Sequence, residues 1–194
     1  MKTYICIIRH GQTEWNNQTR IQGTINNPLN DYGRYQAKTL GKYLKENDSN
    51  WDLIVTSPLK RARETAELIA SELNNNIPLI VVDEFIEREF GQAEGEIISK
   101  ELFDFIIRDE IKDMETSVDL QNRVYQATLK LAQDHPNKRI LIVAHSHVIK
   151  GLLSKLDKKY TFNEQMLNSA LNFFTVEDGK INIEGINIST HLDQ

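Results

Sequence analysis

The sequence predicts a three-layer α/β/α sandwich, in which helices cover both faces of a mostly parallel sheet. Short runs of β-branched and aliphatic residues alternate along the chain with longer stretches whose apolar residues recur at helical spacing. Such alternation is typical of strand–helix–strand units, which build parallel sheets. The chain of 194 residues contains no repeat, low-complexity tract or Pro/Gly/Ser-rich linker, so we expect a single domain over residues 1–194.

The composition argues against several classes of partner and favours a cytoplasmic location. Lys and Arg number 23 against 28 Asp and Glu, so the formal net charge is -5. Nucleic acid and anionic membranes favour basic proteins, and we expect neither as a partner. The one cysteine, Cys6, cannot form an internal disulfide, which favours a reducing compartment. The N-terminal apolar run is too short for a signal peptide, and no stretch approaches the roughly 20 apolar residues of a membrane span.

Four buried strands and a C-terminal hairpin make up the predicted sheet. Continuous apolar runs suit strands that are covered on both faces. A hairpin is expected where two such runs flank the short polar segment 177–180. The predicted strands cover residues 4–8, 53–56, 79–82, 140–144, 171–176 and 181–188.

Capping residues mark where the helices are predicted to begin. Asn30 is a candidate N-cap, because its side chain can accept hydrogen bonds from the first backbone N–H groups. Ser57 followed by Pro58 combines a cap residue with proline at the first helical position. Thr116 with Asp119 has the form of a capping box.

Two further helical stretches are predicted. Apolar residues at helical spacing begin at Val148, after the last buried strand. Residues 96–115 have similar spacing but interrupt the alternation of strands and helices. We interpret this segment either as a cover over the functional site or as an ordinary helix packed on the core.

Polar residues follow the carboxyl ends of the predicted strands, where open α/β sheets bind their ligands. Arg9 and His10 follow the first strand, and Arg61 lies early in the helix after the second. Glu87 comes shortly after the third strand, and His145 directly follows the fourth. Arginine matches phosphate oxygens in bidentate fashion, and helix N-termini add backbone donors. The sequence therefore predicts a phosphate pocket at this edge of the sheet.

Five segments resemble, in the same order, the motifs of the histidine phosphatase superfamily, also called phosphoglycerate mutase-like. The first is Arg-His-Gly-Gln-Thr-Glu-Trp-Asn at residues 9–16. The second carries Gln-Gly and Asn-Pro-Leu within residues 22–29, and the third carries Ser-Pro-Leu-Lys-Arg-Ala and Thr-Ala within residues 57–66. The fourth carries Glu-Arg-Glu-Phe-Gly and Glu-Gly within residues 87–95, and the fifth is Val-Ala-His-Ser at residues 143–146. A single Arg-His-Gly triplet would be weak evidence, but five ordered segments are a specific signal.

The resemblance implies a role for each residue of the predicted pocket. His10 would take the phosphoryl group onto its imidazole, which must be neutral to offer a lone pair. Arg9, Arg61 and His145 would bind the phosphate oxygens and stabilise the transition state. Glu87 would protonate the leaving group and then activate water.

Other residues are expected on the substrate side of the pocket. Those assigned to substrate binding are Asn16, Gln22, Gly23 and Ser146. Gln22, Arg20, Arg88 and the 96–115 segment are interpreted either as contacts to the substrate or as ordinary surface. Departures from the family pattern include Ser146 in place of a common glycine and Ala93 in place of an aromatic residue, which leaves the substrate undefined.

Several alternatives remain open at this point. Glu14, Glu84 and Glu89 are rival acids, and Glu87 is preferred only for its spacing to Gly91.

A second group of alternatives concerns other chemistries. His145 and His147 could be two metal ligands, although we favour His147 as a helix-start residue or one behind the site. Cys6 is interpreted as a core residue, because the loop of cysteine-based phosphatases needs arginine where Gln12 stands.

We therefore expect a phosphatase that hydrolyses small phosphorylated metabolites through phosphohistidine, without a metal or organic cofactor. One alternative is a cofactor-dependent phosphoglycerate mutase, which must protect its phosphoenzyme from water. Another is a catalytically silent phosphate-binding regulatory module. The sequence predicts neither the identity of the phosphomonoester nor the oligomeric state.

Overall fold

The computed structural model describes residues 1–73 and 76–192. Within these residues one sheet is formed by β1 Lys2–Arg9, β2 Leu53–Thr56, β3 Leu79–Val81, β4 Arg139–Ala144, β5 Leu171–Glu177 and β6 Lys180–Ile188. The strands lie in the order β3-β2-β4-β1-β5-β6. Neighbours from β3 to β1 are parallel, whereas β5 and β6 pair antiparallel. The mostly parallel sheet and the C-terminal hairpin are confirmed.

Helices cover both faces of this sheet. They are α1 Glu14–Asn17, α2 Asp31–Asn47, α3 Lys60–Leu73, α4 Lys100–Ile107, α5 Ser117–Asp134 and α6 Ser146–Leu156. One apolar cluster joins α2 and α3 to the sheet, and a second joins α5 and α6 to its other face. The three-layer α/β/α architecture is therefore confirmed. Of the helices in the described residues, none is both long and apolar enough to cross a membrane.

Strand β1 shows how the sequence builds two cores. Ile5 and Ile7 face the cluster beneath α5 and α6, whereas Cys6 and Ile8 face the cluster beneath α2 and α3. Successive side chains of a strand point to opposite faces, so a fully apolar run is needed when both faces are covered. Cys6 is buried, as predicted.

The start of α3 differs from the prediction. The helix begins at Lys60, not at Ser57-Pro58. Its first backbone N–H donates to Oδ1 of Asn26 at 2.6 Å, so a side chain from a distant loop takes the capping role. The Ser57 hydroxyl accepts the backbone N–H of Leu59 at 3.3 Å and also lies 2.7 Å from Nε2 of His145, which couples the ends of β2 and β4.

The other helix starts are closer to the prediction. Asn30 and Thr116 accept backbone hydrogen bonds at the starts of α2 and α5, as expected. The last helix, α6, begins at Ser146, two residues before the predicted Val148. Within 96–115 only α4 is α-helical. The short helix α1 was not predicted.

Parallel pairing brings the carboxyl ends of β1, β2 and β4 to the same edge of the sheet. Arg9 pairs with Ala144, and Thr56 pairs with Val143. The backbone N–H of His10 then donates to the Ala144 carbonyl at 3.0 Å. The residues that follow β1, β2 and β4 are therefore held side by side.

Two glycines allow α2 to pack directly against the loop after β1. A Cβ built at Gly33 would lie 2.0 Å from the Gln12 carbonyl oxygen, and one built at Gly11 would lie 2.4 Å from the Gly33 carbonyl oxygen. Residues with side chains cannot approach so closely. This contact helps to fix the loop that carries His10.

We expect Gly33→Ala to destabilise the protein, although alanine is favoured over glycine by about 1 kcal/mol inside a helix. The added methyl group would overlap the Gln12 carbonyl, and the backbone cannot move aside without shifting the loop. Urea unfolding should give a free energy of unfolding lower by about 1 kcal/mol or more.

The matched control is Gly151→Ala in α6. Its methyl group would meet the Leu120 side chain at 3.1 Å, and a side chain can adjust more easily than a backbone carbonyl. A Gly33→Ala variant at least as stable as the wild type would contradict the close approach.

Candidate active site

The carboxyl edge of the sheet opens into a cleft of about 260 Å³. Eight of the nine predicted site residues line it, namely Arg9, His10, Asn16, Gln22, Gly23, Arg61, Glu87 and Ser146. The ninth, His145, is fully buried next to His10, and their ring centroids are 5.2 Å apart. The structure therefore brings all nine residues to one place.

Two hydrogen bonds define the protonation of His10. Its Nε2 lies 3.2 Å from Nε of Arg61, which is always a donor, so Nε2 must accept. Its Nδ1 lies 2.7 Å from the Gly11 carbonyl oxygen, which can only accept, so Nδ1 must donate. His10 is therefore the neutral Nδ1–H tautomer, with the Nε2 lone pair on the side of Arg61.

The surroundings of His10 favour this neutral form. The ring is buried, and the guanidinium groups of Arg61 and Arg9 lie near it. Burial first, and then the two positive charges, hold the pKa of His10 well below its usual 6.5. A neutral imidazole with a lone pair is a nitrogen nucleophile.

The two arginines are held by carbonyl groups instead of carboxylates. Arg61 donates from Nη1 to Ile25 and from Nη2 to Gly23, each at 2.7 Å. Arg9 donates to the carbonyl of Met166, and its Nε has no hydrogen-bond partner in the described residues. Burial lowers the pKa of each guanidinium to about 10, so both remain charged at neutral pH.

His145 lies behind the cleft and joins two strand ends. It occupies the N-cap position of α6, and its Nε2 contacts the Ser57 hydroxyl. Burial and the neighbouring Arg61, His10 and Arg9 hold its pKa well below the usual value. Its buried Nδ1 has no hydrogen-bond partner within residues 1–73 and 76–192.

Glu87 is the acid that the structure places in the cleft. Its Oε1 accepts from the backbone N–H of Arg88 at 2.9 Å, and its Oε2 accepts from that of His147 at 3.4 Å. Burial raises the pKa of Glu87 above its usual value, although these two hydrogen bonds and both arginines oppose the shift. The rival acids are exposed and do not line the cleft: Glu14, Glu84 and Glu89.

The amide side chains near His10 are positioned by the loop that starts with Thr13. Asn16 Oδ1 accepts from the backbone N–H of Thr13 and from Asn168, which leaves its NH2 group as the donor for a ligand. Gln22 Oε1 accepts from the Thr13 hydroxyl at 2.9 Å. Gly23 has a φ of 51°, and a Cβ there would collide with Glu94.

Arg88 was expected either to contact the substrate or to lie on the surface, and both interpretations are wrong. The side chain is fully buried and does not line the cleft. It forms an ion pair with Asp109 and donates to the Glu115 carbonyl at 2.9 Å. These partners lie in or next to the segment after the acid loop, so Arg88 ties that segment to Glu87. Arg20, in contrast, lines the cleft as expected.

The 96–115 segment contributes an apolar wall. Ile98, Phe103 and Ile106 line the cleft. Ser99 caps α4 by accepting the backbone N–H of Leu102 at 3.1 Å. The segment therefore supplies part of the binding surface.

Several cleft residues were not predicted as site residues. They are Ile21, Phe90, His147, Lys150, Gln165 and Met166. Lys150 lies four residues after Ser146 on α6, so helical spacing could have indicated that both share a face. Gln165 and Met166 come from an irregular loop, for which the sequence gives no such signal.

The two histidines after β4 do not form a shared metal site. His145 contacts Ser57, whereas the His147 ring packs between Phe90 and Phe162, with centroids 4.8 and 5.2 Å away. In the described part of the chain, no group of three or more His, Cys, Asp or Glu residues is arranged to hold a metal ion. The metal-ligand interpretation of the pair is not supported.

Comparisons with known proteins identify the family of this chain. The family model described as histidine phosphatase superfamily (branch 1) matches residues 5–189. The uncharacterized phosphatase PhoE of Bacillus subtilis (strain 168) is 39% identical over 98% of this chain and 97% of its own length. A metal-independent phosphoserine phosphatase of Arabidopsis thaliana is 29% identical over 98% of this chain and 83% of its own.

The solved structures agree as well. A phosphoserine phosphatase mutant from Entamoeba histolytica, in complex with phosphoserine, superposes with a TM-score of 0.84. It is 26% identical, and the match covers 98% of this chain and 99% of that one. The match of the family model and the identity to PhoE confirm the resemblance predicted from the motifs. The chain belongs to the histidine phosphatase superfamily (branch 1) and is one of its phosphatases.

Proposed function

We propose that this phosphatase hydrolyses small phosphorylated metabolites by passing the phosphoryl group to Nε2 of His10 and then to water. The observation that carries the proposal is the hydrogen bond from Arg61 to that nitrogen, which requires a lone pair there. We also propose that residues 1–194 act as one catalytic domain and that no metal or organic cofactor takes part.

In the first step, the Nε2 lone pair attacks phosphorus while the bond from phosphorus to the ester oxygen breaks. The electron pair of that bond goes to the departing oxygen, which takes the proton of the Glu87 carboxyl group. Arg9, Arg61 and His145 would contact the phosphoryl oxygens, where charge is spread in the loose transition state. The alcohol leaves, and Glu87 is left as a carboxylate.

In the second step, water attacks the phosphorus of phosphohistidine and gives a proton to the Glu87 carboxylate. The bond from nitrogen to phosphorus breaks, its electron pair returns to Nε2, and inorganic phosphate leaves. Both residues regain their starting protonation states. A neutral His10 fits this cycle, and the raised pKa of Glu87 increases the fraction of that residue that begins with the proton its role requires.

Location and partners follow from weaker observations. A net charge of -5 disfavours nucleic acid, and a cleft of about 260 Å³ suits a small metabolite. The buried Cys6 thiol in a strand needs no oxidising environment. We therefore propose that the enzyme acts in the cytoplasm on small phosphorylated compounds.

Replacing the nucleophile should abolish phosphate release. We expect His10→Ala to lower kcat for p-nitrophenyl phosphate by on the order of 10³-fold or more, because the variant lacks the proposed nucleophile. The assay is release of inorganic phosphate in the presence of a chelator, with circular dichroism to verify folding. The control is His135→Ala, at the C-terminal end of α5 and outside the cleft, which should keep full activity.

Full activity in His10→Ala would show that the nucleophile is misassigned. Exchange between phosphoglycerate isomers without phosphate release would instead favour the mutase alternative. Wild-type protein that binds vanadate but turns over no ester would favour the silent binding module.

Replacing the acid should reveal which step needs its proton. We expect Glu87→Gln to lower kcat/KM for alkyl phosphates by about 10²- to 10⁴-fold and to affect aryl phosphates much less, because aryl leaving groups need little protonation. A series of esters with graded leaving-group pKa measures this. Glu89→Gln, an exposed neighbour, is the control. Equal losses across the series would point to a different acid.

The pH profile of the wild type should follow the directions of the two pKa shifts. The pKa of His10 lies well below 6.5, so protonation of the nucleophile should not reduce kcat/KM at pH 6. The pKa of Glu87 is raised above 4.5, so kcat/KM for alkyl esters should decline with rising pH at a midpoint above 4.5. That decline should be smaller in Glu87→Gln, where only the second ionisation of the ester, at a pKa of about 6, still contributes, and a profile identical to that of the wild type would contradict the assignment.

A further inference from the structure

Lys150 is a buried cation in the cleft that the proposed reaction does not use. It lies on α6, its side chain lines the cleft, and only 8% of the residue is exposed. Its Nζ donates to the Phe162 carbonyl oxygen at 3.0 Å, which leaves two N–H groups for other acceptors. Among the described residues, no carboxylate forms an ion pair with it.

Some exposed lysines of this chain do have a carboxylate partner. Lys130, Lys138 and Lys159 each form an ion pair with an aspartate, at 2.8, 3.0 and 3.2 Å. A solvated lysine has little need of such a partner, whereas a buried one is costly without it. Lys150 is desolvated and forms no such ion pair among the described residues, so it bears the larger cost. A buried cation that lines a cleft and has no carboxylate partner indicates that a ligand supplies the opposite charge.

The start of α6 places Lys150 near Glu87, because the backbone N–H of His147, three residues earlier on the helix, donates to Oε2 of Glu87. Arg9 and Glu87 are the cleft residues whose charges act on its pKa, and Glu87 is the group proposed to protonate the leaving oxygen. Glu164 and His147 are the other titratable neighbours. The charges that act on His10 are those of Arg61 and Arg9, not that of Lys150.

The charge of the cleft also exceeds what a phosphoryl group needs. In the part of the chain that the structure describes, its lining has one acid, Glu87, and four cations, Arg9, Arg20, Arg61 and Lys150. A phosphomonoester brings about 1.5 to 2 negative charges at pH 7. Arg9 and Arg61, next to the proposed nucleophile, match that charge. The remaining cations are free to bind a further anion.

From this geometry we propose that Lys150 is a specificity-determining residue, which binds a carboxylate carried by the leaving group of the ester. The inference rests on the proposed function at His10 and narrows its substrates to phosphomonoesters of hydroxy acids. A single compact ammonium group with two unused N–H donors suits a carboxylate, which carries one charge. Burial lowers the pKa of Lys150 to about 8, so most of it is charged at pH 7.

The test compares esters that differ only in this group. One pair is 3-phosphoglycerate and glycerol 3-phosphate, and the other is phosphoserine and phosphoethanolamine. For each pair, the wild-type kcat/KM should be at least about tenfold higher for the carboxylate ester, as a charge-assisted hydrogen bond would give. Lys150→Met should bring this ratio close to one, whereas Lys150→Arg should keep part of it.

The matched control is Lys155→Met, on the same helix but exposed, which should leave both ratios unchanged. The ratio should also fall as the pH rises through about 8, because Lys150 then loses its charge. Ionisation of Glu87 affects both esters of a pair alike, so it cancels in the ratio.

Two results would overturn the inference. The first is a wild-type ratio of kcat/KM near one for the two esters of a pair. The second is an equal loss of kcat/KM on both esters of a pair in Lys150→Met. Either result would leave the proposed function intact, provided that p-nitrophenyl phosphate is still hydrolysed through His10. Failure of the wild type to hydrolyse p-nitrophenyl phosphate would overturn the proposed function and this inference together. Equal losses would show that Lys150 acts on folding or on the phosphoryl group itself.

Discussion

The hydrogen bond from Arg61 to His10 constrains the rest of the site. A guanidinium group cannot accept a proton, so the histidine must be neutral and must carry its own proton on Nδ1. That proton needs an acceptor, which the Gly11 carbonyl provides at 2.7 Å. Gly11 is fixed in turn, because its N–H donates to the Thr65 hydroxyl one turn after Arg61 on α3. The loop after β1 and the start of α3 are therefore built as one unit.

Carbonyl partners for the buried cations have a functional consequence. A carboxylate bound to Arg61 or Arg9 would neutralise the charge that a phosphate needs, whereas a carbonyl orients the guanidinium and leaves its charge uncompensated. Glu87 is the nearby exception, and burial favours its protonated form. Unpaired buried charges destabilise a fold. The apolar clusters on both faces of the sheet offset this cost, and substrate binding removes it.

Most of the fold could be predicted because local signals and tertiary contacts agree in it. Apolar runs correctly predicted the strands, and Asn30 and Thr116 correctly predicted the starts of two helices. The prediction failed at Ser57, where a local cap signal was overridden by Asn26, a residue 34 positions away from Lys60. Local sequence cannot report a partner that the fold brings from a distance.

The site was predictable to the extent that it lies at strand ends. Arg9, His10 and His145 follow strands, and parallel pairing brings them together. The choice of Glu87 over its rivals depended on the family resemblance, since burial separates the four acids only in the folded protein. Arg88 was misassigned because its partner Asp109 lies 21 residues away in an irregular region. The contact of Arg9 with the Met166 loop, 157 residues away, had no sequence signal at all.

The central claim concerns the protonation of one imidazole ring, which nitrogen NMR reports directly. With ¹⁵N-labelled histidine, the His10 signals can be assigned by their absence in His10→Ala and followed as the pH is lowered. The account predicts a protonated Nδ1 and an unprotonated Nε2 that persist well below pH 6.5. A proton on Nε2 in the free enzyme, or a doubly protonated ring at pH 6.5, would contradict it.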